Sequence, residues 1–145
     1  SKDWVNVLPI TCDNKAVLIR QYRSGSGSDT LELPGGIVED SEKKDLTMTA
    51  YRELEEETGY RSNKILSLGS SFANPAIQNN KIHFFLALAC ALCPKESRQH
   101  FPDESEDIKV ELYKTSELED LVRYGRIQSS LGCLGVMLSL KYLNK

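Results

Sequence analysis

The sequence has no long apolar run and no excess of positive charge. No stretch reaches the roughly 18 consecutive apolar residues that a membrane-spanning helix needs. The 21 acidic residues outnumber the 18 basic ones, and the net charge of −3 does not attract the chain to a long polyanion. We therefore expect no binding to nucleic acid and no membrane partner.

Cysteine is also scarce, with four residues in 145. Cys90 and Cys93 lie in or beside an apolar run, and no second pair completes a zinc site. We therefore expect the cysteines to be buried free thiols, as is usual in a reducing compartment. The opening residues 1–4 contain no apolar signal core, and the expected location is cytoplasmic.

The length is sufficient for a single domain over residues 1–145, because a chain of this size can bury its own core. Apolar runs and alternation predict six strands, at 4–11, 16–22, 30–33, 65–68, 82–92 and 108–113. Strands interspersed with two or three helices predict a layered α/β domain.

Three helices are predicted from capping and periodicity. The first covers 46–58, and the second begins at a capping box of Ser116 and Glu119 and ends near Gly125. The third is capped by Ser129 or Ser130. Its apolar stripe is expected to face the core or a dimer partner, and it consists of Leu131, Leu134, Met137, Leu138 and Leu140.

The most informative segment joins a glycine turn, Leu33-Pro34-Gly35-Gly36, to an acidic helix. In a helix over 46–58, Glu53, Glu56 and Glu57 share one face. They repel one another by about 0.2–0.5 kcal/mol per pair and lie at the negative end of the helix dipole. The cluster therefore predicts a bound divalent cation, and its oxygen ligands suit Mg²⁺ or Mn²⁺. Glu55 is expected to face solvent.

This segment resembles the Nudix hydrolase signature. Gly36 and Glu42 fit its first half. The second half is matched by Arg52, Glu53, Leu54, Glu56, Glu57 and Gly59. Nine residues separate Glu42 from Arg52 where the signature has seven, which we interpret as a two-residue insertion that leaves the role of Glu42 open. The resemblance implies an α/β/α sandwich with a mixed central sheet.

Two further features resemble the ADP-ribose and nucleoside-diphosphate-sugar pyrophosphatases within that family. The strand Ile19–Arg23 looks like their Arg-Gln-Tyr-Arg strand, and Pro75 lies fifteen positions after Tyr60, an interval typical of this subgroup. The resemblance implies hydrolysis of a nucleoside diphosphate sugar, such as ADP-ribose, to a nucleoside monophosphate and a sugar phosphate.

The resemblance also implies roles for individual residues. Glu53 and Glu57 would be the principal metal ligands, assisted by Glu56. The backbone carbonyl of Gly35 or Gly36 would complete the coordination. Arg52 would orient the ligands by pairing with Glu42 or Glu56.

The resemblance also implies a general base and contacts with the substrate. Residues 104–108 resemble the acidic loop that supplies a further glutamate in the subgroup, so the general base would be Glu106, with Glu104 as the alternative. Four residues are candidates for contacts with the substrate: Arg20, Arg23, Pro75 and Asn79.

Two other functions stay open from the sequence. A pyrophosphohydrolase that removes damaged nucleoside triphosphates would share the signature but generally not the Pro75 interval. A non-catalytic module that senses a nucleotide would have the same fold, although retention of Glu53, Glu56 and Glu57 argues against it. A homodimer is an alternative to a monomer, because dimers are common in the resembled group.

Overall fold

The structure is a computed structural model that describes residues 2–102 and 107–144. Its strands are β1 (Trp4–Thr11), β2 (Lys15–Arg23), β3 (Ser28–Glu32), β4 (Gly35–Ile37), β5 (Tyr60–Arg61), β6 (Lys64–Phe72), β7 (Lys81–Leu92) and β8 (Lys109–Lys114). Its α-helices are α1 (Leu46–Thr58), α2 (Leu118–Arg123) and α3 (Ser130–Leu143).

Strand β1 lies at the centre of a mixed sheet. It runs parallel to β7 and antiparallel to β4, and a tight turn joins it to β2. Strand β2 also pairs with β3 and β8, while β7 pairs with β5 and β6. The near-continuous apolar run of β1 suits this position, because a central strand is buried on both faces.

Helices cover both faces of the sheet. On one face, Ala50 and Leu54 of α1 pack with Val5 and Val7 of β1. On the other face, side chains of α2 and α3 pack with Leu8 and with residues of β2 and β3. The predicted α/β/α sandwich with a mixed central sheet is confirmed.

Helix α1 begins and ends where the sequence predicts. The Asp45 carboxylate accepts a hydrogen bond from the backbone N–H of Thr47, which caps the first turn. Gly59 has φ 77°, a left-handed conformation that favours glycine, and its N–H donates to the Glu55 carbonyl. These two caps fix the register of the acidic segment between them.

The buried face of α3 agrees only in part with the predicted stripe, of which Leu140 packs against the core. Gly132, Gly135, Val136 and Ser139 are buried, whereas Leu134 and Met137 are 38% and 43% exposed. A Cβ on Gly135 would lie 3.0 Å from Leu33 Cδ2, closer than ordinary van der Waals contact, so the helix packs tightly against the sheet at this position. The small residues that allow α3 to approach the sheet closely, rather than Leu134 and Met137, therefore define the face that packs on the sheet.

The predicted capping box of Ser116 and Glu119 is wrong. A 3₁₀ turn, Thr115–Glu117, precedes α2, and Glu117 Oε1 accepts a hydrogen bond from the Lys114 N–H. For the last helix, Ser129 is the cap, since its hydroxyl accepts from the Gly132 N–H. Strands β4 and β5 were not predicted, because two or three residues are too few to show a period.

All four cysteines are free. Cys90 and Cys93 are buried as expected, and burial raises the pKa of the Cys90 thiol to about 11. Cys12 is exposed, so the expectation that every thiol would be buried is wrong. None of the helices within 2–102 and 107–144 combines the length and the apolarity needed to cross a membrane.

Candidate active site

A cleft of about 450 Å³ lies between α1, β4, the adjoining strands and the start of α3. Its wall contains more carboxylates than cations: Glu32, Glu39, Glu53, Glu56 and Glu57 against Arg23 and Arg52. The cleft brings together the three clustered glutamates of α1 and both glycines of the turn. A ligand bound here must either carry positive charge or bind together with a cation.

The glycine turn meets α1 at very short range. A Cβ on Gly36 would overlap the carboxylate of Glu53, and a Cβ on Gly35 would overlap the carbonyl of Val5. The Gly35 N–H donates a hydrogen bond of 2.7 Å to Glu57 Oε1. Only glycine allows the β4 backbone to lie directly against these two carboxylates.

Arg52 links the acidic residues of the cleft. Its Nη1 donates to Glu53 at 3.0 Å and to Glu56 at 3.2 Å, while its Nη2 donates to the Ile37 carbonyl at 2.9 Å. Its Nε and Nη2 bind both carboxylate oxygens of Glu42, at 2.8 and 3.1 Å. The expected pairing of Arg52 with Glu42 or Glu56 is confirmed, and the structure contains both pairs.

Glu42 reaches Arg52 in spite of the two-residue insertion. The extra residues follow the 3₁₀ turn Asp40–Glu42 and leave the carboxylate buried against α1. It accepts further hydrogen bonds from Thr49 Oγ1 at 2.9 Å and from the Glu39 N–H at 3.0 Å. The hydrogen bonds from Arg52 are the main reason that the pKa of Glu42 is lowered to about 2.

The donor chemistry of the cleft fits a hard divalent cation. Glu53, Glu56 and Glu57 supply only oxygen donors, and the Gly35 and Gly36 backbone lies beside them. Within 2–102 and 107–144, no three Asp, Glu, His or Cys side chains already form a metal-binding group. Hydrogen bonds from Arg52 and from the Gly35 N–H hold Glu53, Glu56 and Glu57 at the wall of the cleft.

The two candidate arginines of β2 occupy different positions. Arg23 lines the cleft, and Nε and Nη2 each donate to Glu32 at 2.8 Å. Arg20 is not among the described cleft residues, and it binds Glu111 of β8 at 2.6 and 3.1 Å. The structure therefore brings Arg23, but not Arg20, to the cleft.

The cleft residues within the described part of the chain do not include the remaining sequence candidates. Pro75 and Asn79 are in the exposed loop between β6 and β7 and are not among the described cleft residues. The predicted general base, Glu106, and its alternative, Glu104, lie outside the described residues. Their roles stay predictions.

Glu55 is not the exposed residue that the sequence suggested. It is 5% exposed and binds Arg61 at 2.9 Å. Its Oε1 also accepts a 2.6 Å hydrogen bond from the Gln99 N–H. The sequence near Glu55 does not reveal this contact, because Gln99 is 44 residues away along the chain.

Sequence reasoning also missed several cleft residues, including Trp4, Asn6 and Ile37. The alternation of β1 places Trp4 and Asn6 on one face, and that signal was available. The signal for Ile37 was not, because its position depends on the pairing of β4 with β1.

Comparison with known proteins gives the family. Residues 2–129 match the NUDIX domain, and the chain therefore belongs to the Nudix family. The predicted membership is confirmed, and Nudix hydrolases generally use divalent metal ions.

Within the family the chain is similar to an ADP-ribose pyrophosphatase of Bacillus subtilis, with 33% identity over 106 residues. That alignment covers 73% of this chain and 55% of the relative. A methanol dehydrogenase activator of Bacillus methanolicus is 33% identical over 91% of this chain and 69% of its own length. The predicted resemblance to the ADP-ribose pyrophosphatase subgroup is confirmed, although the chain spans only about half of the Bacillus subtilis enzyme.

A solved structure described as an ADP compounds hydrolase superposes with a TM-score of 0.85. The superposition covers 99% of this chain and 74% of that one, at 23% sequence identity. At this identity the match supports the fold alone.

Proposed function

We propose that the protein is a metal-dependent pyrophosphohydrolase that cleaves nucleoside diphosphate sugars such as ADP-ribose. The products would be a nucleoside monophosphate and a sugar phosphate. The observation that carries the proposal is the meeting of three helix carboxylates, Glu53, Glu56 and Glu57, with the Gly35–Gly36 backbone in one cleft. The similarity to an ADP-ribose pyrophosphatase supports the choice of substrate class.

The residues of the cleft have distinct proposed roles. Glu53 and Glu57 would hold Mg²⁺, or Mn²⁺ in its place, with Glu56 and a carbonyl of Gly35 or Gly36 assisting. Such an ion would supply positive charge for the diphosphate and would make a water more acidic. Arg52 keeps the ligand carboxylates in position because Glu42 fixes its guanidinium on the opposite side.

The other roles come from the sequence resemblance. Arg23, which lines the cleft, is proposed to contact a phosphate or ribose of the substrate. Glu106, with Glu104 as the alternative, is proposed as the general base on the resemblance alone. A cytoplasmic location, a single domain over 1–145 and a homodimer likewise stay predictions.

A substrate panel tests the proposal. The purified chain is assayed with ADP-ribose, a uridine diphosphate sugar and an oxidised dGTP, each with Mg²⁺, with Mn²⁺ and with a chelator, and the products are identified by phosphorus NMR. We expect the highest kcat/KM for a diphosphate sugar, with AMP and ribose 5-phosphate as the products from ADP-ribose. No turnover should remain in the chelator.

Two other results would overturn the proposal. A higher kcat/KM for the oxidised triphosphate, with release of inorganic diphosphate, would indicate a nucleotide-pool enzyme. Metal-dependent binding of ADP-ribose without turnover would indicate a sensing module. The Glu57→Gln variant, prepared in parallel, shows whether any turnover comes from a contaminating hydrolase.

A further inference from the structure

Trp4 is the only tryptophan in the chain and lies in the wall of the cleft. It is 47% exposed although it belongs to the central strand β1. Single exposed apolar side chains are ordinary on a convex surface. A large aromatic ring that is half exposed inside a concave site is a ready contact for a ligand, because such sites bind ligands largely through apolar and aromatic side chains.

The strands on either side of β1 place aliphatic residues next to this ring. In the strand register, Trp4 lies opposite Ile37 of β4 and opposite Ile82 of β7. Residues directly opposite each other project from the same face of a sheet, so two aliphatic side chains flank the indole. All three line the cleft. Together, Trp4, Ile37 and Ile82 form an apolar wall.

The same face of β1 also offers a hydrogen-bonding group. Asn6 is two residues from Trp4 and lines the cleft. Its side-chain Oδ1 is buried and has no hydrogen-bond partner among the residues described. A buried acceptor of this kind is costly unless a donor reaches it. A flat apolar ligand group would suit Trp4, and a donor on that group would reach Asn6 only after the amide turned toward the cleft.

We propose that Trp4 is a specificity-determining residue against which the aromatic base of a nucleotide substrate stacks. This inference rests on the proposed function, because the diphosphate is taken to lie at Glu53, Glu56 and Glu57. A neutral base suits the apolar wall, since it needs none of the charge compensation that the diphosphate needs. The specificity lies in the presence of a base rather than in its identity, because every base has a π-face that can stack.

The unique tryptophan makes the contact directly measurable. Intrinsic fluorescence reports on Trp4 alone, and excitation at the red edge of its band avoids absorption by adenine. The intact chain is titrated in Mg²⁺ with ADP, with inorganic diphosphate and with ribose 5-phosphate. We expect ADP to quench the emission and the two ligands without a base to leave it unchanged.

Variants separate stacking from a structural role. Trp4→Leu should raise the inhibition constant of ADP about tenfold, equivalent to about 1.4 kcal/mol, and leave that of inorganic diphosphate unchanged. Trp4→Phe keeps a ring and should rescue ADP binding to within about threefold of wild type. The matched control is Tyr124→Leu, which removes an aromatic side chain that is 72% exposed and not among the described cleft residues.

Two results would overturn the inference. One is equal quenching by ADP and inorganic diphosphate, and the other is equal weakening of both ligands by Trp4→Leu. If the proposed function were wrong and the stacking inference correct, ADP would still quench the Trp4 emission, but no diphosphate sugar would be hydrolysed. Conversely, hydrolysis of ADP-ribose with unchanged ADP affinity in Trp4→Leu would reject the stacking role alone.

Discussion

Arg52 of α1 and Glu42 of the preceding 3₁₀ turn form a bidentate ion pair. The guanidinium Nε and Nη2 bind the two oxygens of one carboxylate at 2.8 and 3.1 Å. Both side chains are largely buried, at 17% and 7% exposure. Because one side of the guanidinium is fixed in this way, the other side can hold Glu53 and Glu56.

The first prediction concerns this geometry. Arg52→Lys keeps the positive charge but loses the planar fork that makes the paired contacts. We expect kcat/KM for the best diphosphate substrate to fall about 10- to 100-fold, because the ligand carboxylates lose their orientation. Steady-state kinetics at saturating Mg²⁺ measure the effect.

The same variant should also be less stable. Buried Glu42 would keep only part of its hydrogen bonding, at a cost of about 1–3 kcal/mol in the free energy of unfolding. Urea denaturation measures this loss of unfolding free energy separately from the kinetics. Arg123→Lys, at an exposed position of α2 beside the exposed Tyr124 ring, is the control and should leave the kinetics unchanged and the free energy of unfolding within about 0.5 kcal/mol of wild type. Wild-type kinetics in Arg52→Lys would contradict the positioning role.

The second prediction concerns Glu57. Glu57→Gln preserves a side-chain oxygen that can still accept from the Gly35 N–H, but it removes the negative charge. We expect kcat/KM to fall at least about 100-fold while the melting temperature stays close to that of wild type. Glu119→Gln is the control, because Glu119 is exposed on α2. Near-wild-type turnover in Mg²⁺ would remove Glu57 from the metal site.

The sequence predicted the parts of this protein that depend on short-range patterns. Helix α1 has the bounds expected from its caps, and the positions of Glu53, Glu56 and Glu57 on it follow from helical geometry. The glycine turn was also predicted next to this helix. Its close approach to Glu53 follows from the pairing of β4 with β1, which no local pattern reveals.

Residues whose partners are distant in sequence were predicted less well. Arg20 and Glu55 both carry charges that looked available for substrate or solvent, yet Arg20 pairs with Glu111 and Glu55 pairs with Arg61 and the Gln99 backbone. The small-residue face of α3 was missed for the same reason. Which face of α3 is buried depends on how closely the helix approaches Leu33, and the three-dimensional packing sets that distance.

The third prediction follows from the buried position of Glu55. Glu55→Gln removes the charge that binds Arg61 and weakens the hydrogen bond from the Gln99 N–H. We expect the free energy of unfolding to fall by about 1–2 kcal/mol, as measured by urea denaturation. Glu119→Gln should change it by less than about 0.5 kcal/mol, because its side chain is exposed. Equal stability of the two variants would contradict the structural role of Glu55.

The fourth prediction concerns pH and the pair of Arg20 and Glu111. Hydrogen bonds from Arg20, with a further one from Tyr113, lower the pKa of Glu111 from its usual 4.5 to about 2. A carboxylate whose pKa is lowered in the folded state stabilises the protein above its unfolded pKa, and this contribution disappears as the pH falls through the folded value. The stabilisation should therefore be complete at neutral pH and decline between about pH 4.5 and pH 2.

Denaturation of wild type and Glu111→Gln at several pH values tests this dependence. Since both partners are about 30% exposed, we discount the pKa shift for solvent screening and expect a difference of about 1 kcal/mol at pH 7. The difference should shrink steadily below pH 4.5, because the wild-type carboxylate becomes protonated and loses its charge advantage over glutamine. Glu119→Gln, at an exposed position of α2, is the matched control and is measured at the same pH values. A difference that stayed constant from pH 7 to pH 3 would show that Glu111 contributes through packing and neutral hydrogen bonds rather than through its charge.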